Sequence, residues 1–228
     1  MATPLTVDEI RAIPHLKGIA PEEVDRLLRR IEVRSYATRE LIIGEGEPCR
    51  GFFVLRKGRA RIFRSGADGR EQILRLLGPG DTFGEVPVFD GGPNPANVEA
   101  MDPCEALFIS TPVFLEVIGR NPGVALAMLH HFARRLRSFT ELVEQISLQT
   151  VQNRIARYLY FAAREEGMVT KEGVIVPRSI TQQDLAALVG SVREVVSRTL
   201  KVMEDDGLVE VRRKEFLVPD LDALRRLL

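Results

Sequence analysis

The stretch TQQDLAALVGSVREVVSRTLKVMEDDG, residues 181–207, constrains the chain more than any other. A run of good helix formers stops at Gly190-Ser191 and resumes at once. Leu185, Ala186, Leu188 and Val189 form one apolar side before the break. Val192, Val195, Val196, Leu200 and Met203 form another after it. Ala186 is small and lies four residues before Gly190. This is the pattern of two helices that cross steeply at a short turn, with glycine accepting the turn geometry. Ser191 is read as the cap of the second helix, and Glu194 stands where the partner of a capping box belongs. The second helix turns Arg193, Glu194, Ser197, Arg198 and Lys201 away from its apolar side.

After Gly207 comes LVEVRRKEFLV, two β-rich arms around a basic turn. A helix-turn-helix followed by a hairpin is a winged helix, whose second helix can enter a DNA major groove. Arginine pairs bidentately with guanine and glutamate accepts from cytosine. Ser197 and Lys201 are suited to phosphate or a base edge, and Arg212, Arg213 and Lys214 on the wing to the DNA backbone. Net charge gives no such hint: Lys plus Arg and Asp plus Glu are each 32. Only distribution can make a basic surface here.

Upstream the texture changes twice. Residues 7–30 read as helical, with Val7, Ile10, Leu16, Val24, Leu27 and Leu28 among charges. From about 32 to 110, short apolar runs (LII, FFVL, ARIF, QILRLL, EALFI) alternate with turn clusters (GEGEP, SGADG, GPGD, DGGPNP), which predicts a β-sandwich or barrel. A helix is then predicted from Asn121-Pro122. On it Leu129, Phe132, Leu136, Phe139, Val143 and Ile146 are spaced 3, 4, 3, 4, 3. That narrow seam fits a helix lying on its own β-domain or, more naturally, one meeting its own copy in a two-fold dimer. His130 and His131 are read as ordinary helix residues flanking the seam. Val151, Ile155, Leu159 and Ala162 mark a further helix, and EEGMVTKEGV reads as a loop.

Other classes are excluded or find no support. No apolar run approaches the roughly 20 residues that span a bilayer. The N-terminus has no basic head followed by an apolar stretch, and Cys49 and Cys104 form no disulfide or metal pattern. A cytoplasmic location without membrane contact is expected. No nucleophile–base pair, metal spacing or phosphate-cradling loop points to an enzyme.

These segments together resemble the cyclic-AMP receptor protein/fumarate-nitrate regulator (CRP/FNR) superfamily of bacterial transcription factors. The resemblance rests on GDTFGE (80–85), NPGVALAMLHHFARRLRSFTELVEQISL (121–148), NRIARYL (153–159) and the broken-helix stretch. It implies an α+β chain: a β-roll sensor domain over 1–119, a dimerisation helix and hinge over 120–150, and a winged helix-turn-helix over 151–228. It implies a homodimer on a palindromic DNA operator, and RNA polymerase as a further partner. The family's base-reading arginine, glutamate and second arginine fall on Arg193, Glu194 and Arg198. The pattern R-E-x-x-S-R mixes two branches, so a TGA core is expected in each half-site and the flanking bases stay open.

The resemblance also nominates an effector pocket of Gly84, Glu85, Asn94, Pro95, Ala96, Phe139 and Thr140. Asn94 and Pro95 stand at the positions of the family's phosphate-clamping Arg-Ser pair. Asn94 has no charge and Pro95 no N–H, so cyclic AMP is disfavoured. An iron–sulfur cluster needs about four thiolates and two cysteines exclude it. Haem stays open, with His15 or the His130-His131 pair supplying axial nitrogen in a nitric-oxide-sensing regulator. Cys49 beside Pro48 is also a candidate redox thiol. An effector-independent regulator, or a cyclic-nucleotide-regulated sensor that binds no DNA, are the remaining alternatives.

Overall fold

A computed structural model describes residues 5–228. The chain divides into two compact units: residues up to Arg64 with Leu74–Phe139, and Ser65–Ile73 with Thr140–Leu228.

In the first unit, the helical run expected over 7–30 is broken. Helix α1 (Val7–Ala12) opens with a Thr6–Glu9 capping box. A 3-10 turn (Pro14–Leu16) follows, and α2 spans Pro21–Leu28. Pro14 explains the break, since it cannot continue α1. Eight strands come next: β1 (Glu32–Tyr36), β2 (Leu41–Ile43), β3 (Gly51–Lys57), β4 (Ala60–Ser65), β5 (Glu71–Leu77), β6 (Thr82–Phe83), β7 (Asn97–Ala100) and β8 (Cys104–Ser110). The short helix α3 (Val86–Asp90) sits between β6 and β7. They form two four-stranded sheets, ordered β1-β8-β3-β6 and β2-β7-β4-β5.

Strand β3 shows how the layers are held. Phe52, Phe53, Val54 and Leu55 are all buried, although strand side chains alternate in direction. Phe53 and Leu55 join Leu77, Phe83, Val98 and Phe108 in one core. Phe52 and Val54 face the other way, onto Ile10, Leu16, Val24, Leu27 and Phe114 of the helices. Both faces of the strand are covered, so its sequence is a continuous apolar run.

Helix α4 (Thr111–Arg120) leads to α5 (Pro122–Leu148). Val124, Met128 and His131 of α5 are buried on the first unit. Leu129, Leu136, Phe139, Val143 and Ile146 are exposed, at 64, 70, 48, 62 and 39%. Phe132 departs from the expected seam. It packs on the helix-side core, with its ring 5.2 Å from Phe89.

The second unit contains α6 (Val151–Glu166), β9 (Met168–Thr170), β10 (Gly173–Pro177), α7 (Gln182–Leu188), α8 (Arg193–Asp205), β11 (Glu210–Val211), β12 (Glu215–Val218) and α9 (Leu221–Arg225). The segment read as a loop over 165–174 therefore carries strand. The wing hairpin β11-β12 continues through β10 to β9 in one sheet. No helix among the described residues is long and apolar enough to cross a membrane.

Candidate nucleic-acid interface

The broken helix of the sequence is α7, a turn and α8. Helix α7 starts on a capping box: Thr181 Oγ1 accepts from the Asp184 N–H at 3.0 Å, and Asp184 accepts from the Thr181 N–H at 3.2 Å. It ends at Gly190, with φ of +62°, and the Ser191 N–H donates to the Ala186 carbonyl at 2.9 Å. This 6→1 bond closes a Schellman motif, which needs a left-handed residue at the glycine position. Gly190→Ala places an L side chain in that region and is expected to destabilise the second unit by about 1–2 kcal/mol, read as a lowered denaturant midpoint.

The turn also corrects an expectation. Ser191 does not cap α8. Its N–H is spent closing α7, and Val192 is the N-cap, with no side-chain cap bond. Glu194 is therefore in no capping box and stands exposed in the first turn of α8. Leu185, Ala186 and Val189 at the α7 end and Val196, Leu200 and Met203 of α8 are all buried, and the two helices pack on each other. With that face fixed, Arg193, Glu194, Ser197, Arg198 and Lys201 are all exposed. The side chains of Arg193, Glu194, Ser197 and Arg198 have no hydrogen bond or ion pair among the described residues. Lys201 differs: its Nζ lies 3.1 Å from Asp205 and 3.9 Å from Glu204, which raises its pKa.

On the wing, Arg213 and Lys214 are exposed. Arg212 is not a free contact. Its guanidinium meets Glu210 at 2.9 Å, Glu172 at 3.2 Å and Glu215 at 3.4 Å, so it ties the hairpin to β10's leading turn.

The nominated effector residues take a different form from that expected. Glu85 is buried, and its Oε1 accepts from His131 Nε2 at 2.7 Å and from Thr82 Oγ1 at 3.2 Å. Thr82 Oγ1 in turn lies 3.0 Å from His15 Nε2, and the His15 and His131 rings are 4.5 Å apart. Burial pushes the Glu85 pKa up, but the bonds from His131 and Thr82 outweigh it and hold the carboxyl below its ordinary range. Asn94 is buried with its amide donating to the Glu47 carbonyl at 3.0 Å; Gly84 has φ of +79°. Ala96 is buried, while Pro95, Phe139 and Thr140 are exposed. Arg59, just before β4, and Arg61 and Arg64 on it are in ion pairs: Arg59 with Asp102, Arg61 with Glu99, Arg64 with Glu45.

His131, read from sequence as a plain seam neighbour, is thus a buried member of a four-residue polar network, while His130 is exposed. Only its pairing with Glu85, 46 residues earlier in the chain and invisible in local sequence, reveals it.

His15 gives the network a pH signature. Burial first, then the charge of His131, lower its pKa from 6.5 to about 4; Glu85 opposes and Arg134 adds to the lowering. Below pH 6.5 the unfolded chain takes up a proton that the folded chain refuses until about pH 4. The first unit should lose roughly 2–3 kcal/mol of stability across that window. His15→Gln should flatten the dependence, as followed by urea unfolding at a series of pH values.

Comparison with known proteins agrees with this architecture. The Cyclic nucleotide-binding domain family matches residues 33–121, and the Crp-like helix-turn-helix domain family matches residues 153–227. The Cyclic AMP receptor protein of Thermus thermophilus is 32% identical over 202 residues, covering 89% of this chain and 90% of the relative. The chain belongs to the CRP/FNR superfamily of transcription regulators. The CRP-like cAMP-activated global transcriptional regulator of Mycobacterium tuberculosis is 28% identical over 221 residues, 96% of this chain and 99% of the relative. The solved structure of the c-di-GMP responsive global regulator CLP from Xanthomonas campestris superposes with a TM-score of 0.78 at 26% identity, covering 88% of this chain and all of that one. The Crp-like helix-turn-helix match in this CRP/FNR regulator takes in α7 and α8.

Proposed function

We propose that this CRP/FNR regulator works as a homodimer on a two-fold symmetric DNA operator, with α8 of each subunit in a major groove. The observation that carries the reading is the exposed, unpartnered row of Arg193, Glu194, Ser197 and Arg198 on a helix whose other face is buried. Unpaired guanidinium and carboxylate groups at this spacing suit base edges. Lys201, Arg213 and Lys214 suit phosphates, and Arg212 holds the wing that presents the last two. The exposed apolar row of α5 supports pairing with a second copy. By family likeness, RNA polymerase is the further partner and the cytoplasm the place of action.

The relatives named cAMP-activated raise the question of that ligand here. The residues do not fit it. Pro95 cannot donate, the Asn94 amide already serves Glu47, and Glu85 is held by His131 and Thr82. Loss of one charge-assisted phosphate bond alone weakens binding by about 1.5–3 kcal/mol. Haem does not fit either: His15 Nε2 is engaged by Thr82, His131 Nε2 by Glu85, and His130 is a solvent-facing residue of α5.

Selection from random duplexes tests the function. The expected product is a palindrome whose half-site centres are one helical turn, about 34 Å, apart. Enrichment of a single unsymmetrical site, or no enrichment, contradicts it.

A further inference from the structure

A cleft of about 280 Å³ opens in the first unit between the Pro14–Leu16 turn, the β5–β6 corner and α5. Its walls carry His15, Arg75, Asp81, Thr82, Arg134 and Arg135. Three guanidinium groups thus line the cleft with one carboxylate, and a second, Glu85, stands behind Thr82 and His131. Arg75 is fixed in place by Asp81 and by a 3.2 Å bond to the Thr82 carbonyl. Arg134 and Arg135 have no ion pair among the described residues. Gathering like charges on the walls of a concave site raises the local potential and favours an anion there.

This cleft adjoins the nominated effector pocket, since Thr82 and His131 on its wall both bond Glu85, but it is lined by other residues. Gly84, Glu85, Asn94, Pro95, Ala96, Phe139 and Thr140 do not line it. It borders the apolar row of α5. At about 100° per residue, the centre of the face holding His131, Arg134, Arg135 and Ser138 lies roughly 150° from that of Leu129, Leu136 and Val143, while Arg135 itself lies only about 40° from Phe139.

We propose that the cleft binds a small organic polyanion, carrying two or more phosphate or carboxylate groups, between Arg75 and the Arg134–Arg135 pair. His15 lines the same cleft. Binding draws on residues of this unit alone and does not depend on the DNA-binding reading.

Calorimetric titration of the full chain at fixed ionic strength, with inorganic pyrophosphate and with citrate as probes, tests the site. At least one probe should bind saturably, one per chain. The double variant Arg134→Gln, Arg135→Gln should weaken it about tenfold or more, as loss of charge-assisted bonds requires. Arg137→Gln, on the same helix but outside the cleft, should leave it unchanged. Pyrophosphate alone would mark a phosphate ligand and citrate alone a carboxylate. Bound probe should also raise the titration midpoint of the His15 imidazole, followed by NMR. Both arginines lack internal partners, and an unchanged thermal melt verifies that the variant folds. Failure of both probes to saturate, or equal affinity in the double variant, would overturn the proposal.

Discussion

Arg193→Ala together with Arg198→Ala should lower affinity for the selected operator by at least a hundredfold while leaving affinity for scrambled duplex within a few-fold. Each arginine paired to a base edge contributes about 1–3 kcal/mol of discrimination. A two-fold dimer presents each of them twice, so even a strongly non-additive sum exceeds the 2.7 kcal/mol or so that a hundredfold represents. Non-specific affinity comes from phosphate neutralisation, to which Lys201, Arg213 and Lys214 are better placed. Fluorescence anisotropy with operator and scrambled duplexes, repeated over a salt series, separates the terms. Both guanidinium groups are exposed and unpartnered, so the variant should melt like the parent. An equal loss on both duplexes would mean that the row supplies charge and no reading.

Leu136→Glu with Val143→Glu should convert the protein to a monomer and remove tight binding to the palindrome. These side chains are 70% and 62% exposed in the single chain. Covering each contributes about 1.5–3 kcal/mol, counted twice by symmetry, and four carboxylates in an apolar seam add a desolvation cost. Once the chains separate, the second half-site is no longer engaged at high effective concentration, and affinity should fall by two or more orders of magnitude. Sedimentation velocity at micromolar protein gives the mass. Persistence of the dimer would place the subunit interface elsewhere. Phe132 is the contrasting position: it packs on its own core against Phe89, so Phe132→Glu should unfold the first unit instead of only splitting the dimer.

The features legible in the sequence are those written in local periodicity. The glycine-punctuated apolar runs over 32–110 became eight strands in two sheets, and the start of α5 at Pro122 followed from its first-turn proline. The α7–α8 break was legible because Ala186, Gly190 and the packing residues sit within one short window. What stayed hidden depended on partners far away in the chain. Strand β9 has three exposed residues and is defined only by pairing with β10. Arg212 resembles any wing cation until Glu172, forty residues earlier, is brought to it. His131 resembles any helix residue until Glu85 arrives from the roll. Ser191 misled for the opposite reason. Its local pattern was a good cap, but the turn runs one residue further and α8 starts with Val192 at the cap position.

A double-mutant cycle between protein and DNA tests most directly whether α8 reads bases. The selected operator is changed symmetrically, one guanine per half-site at a time, and each duplex is titrated with wild type and with Arg198→Ala. The structure predicts one position where substitution costs wild type about 1–3 kcal/mol per half-site and costs the variant almost nothing. The same cost in both proteins at every position would contradict the account.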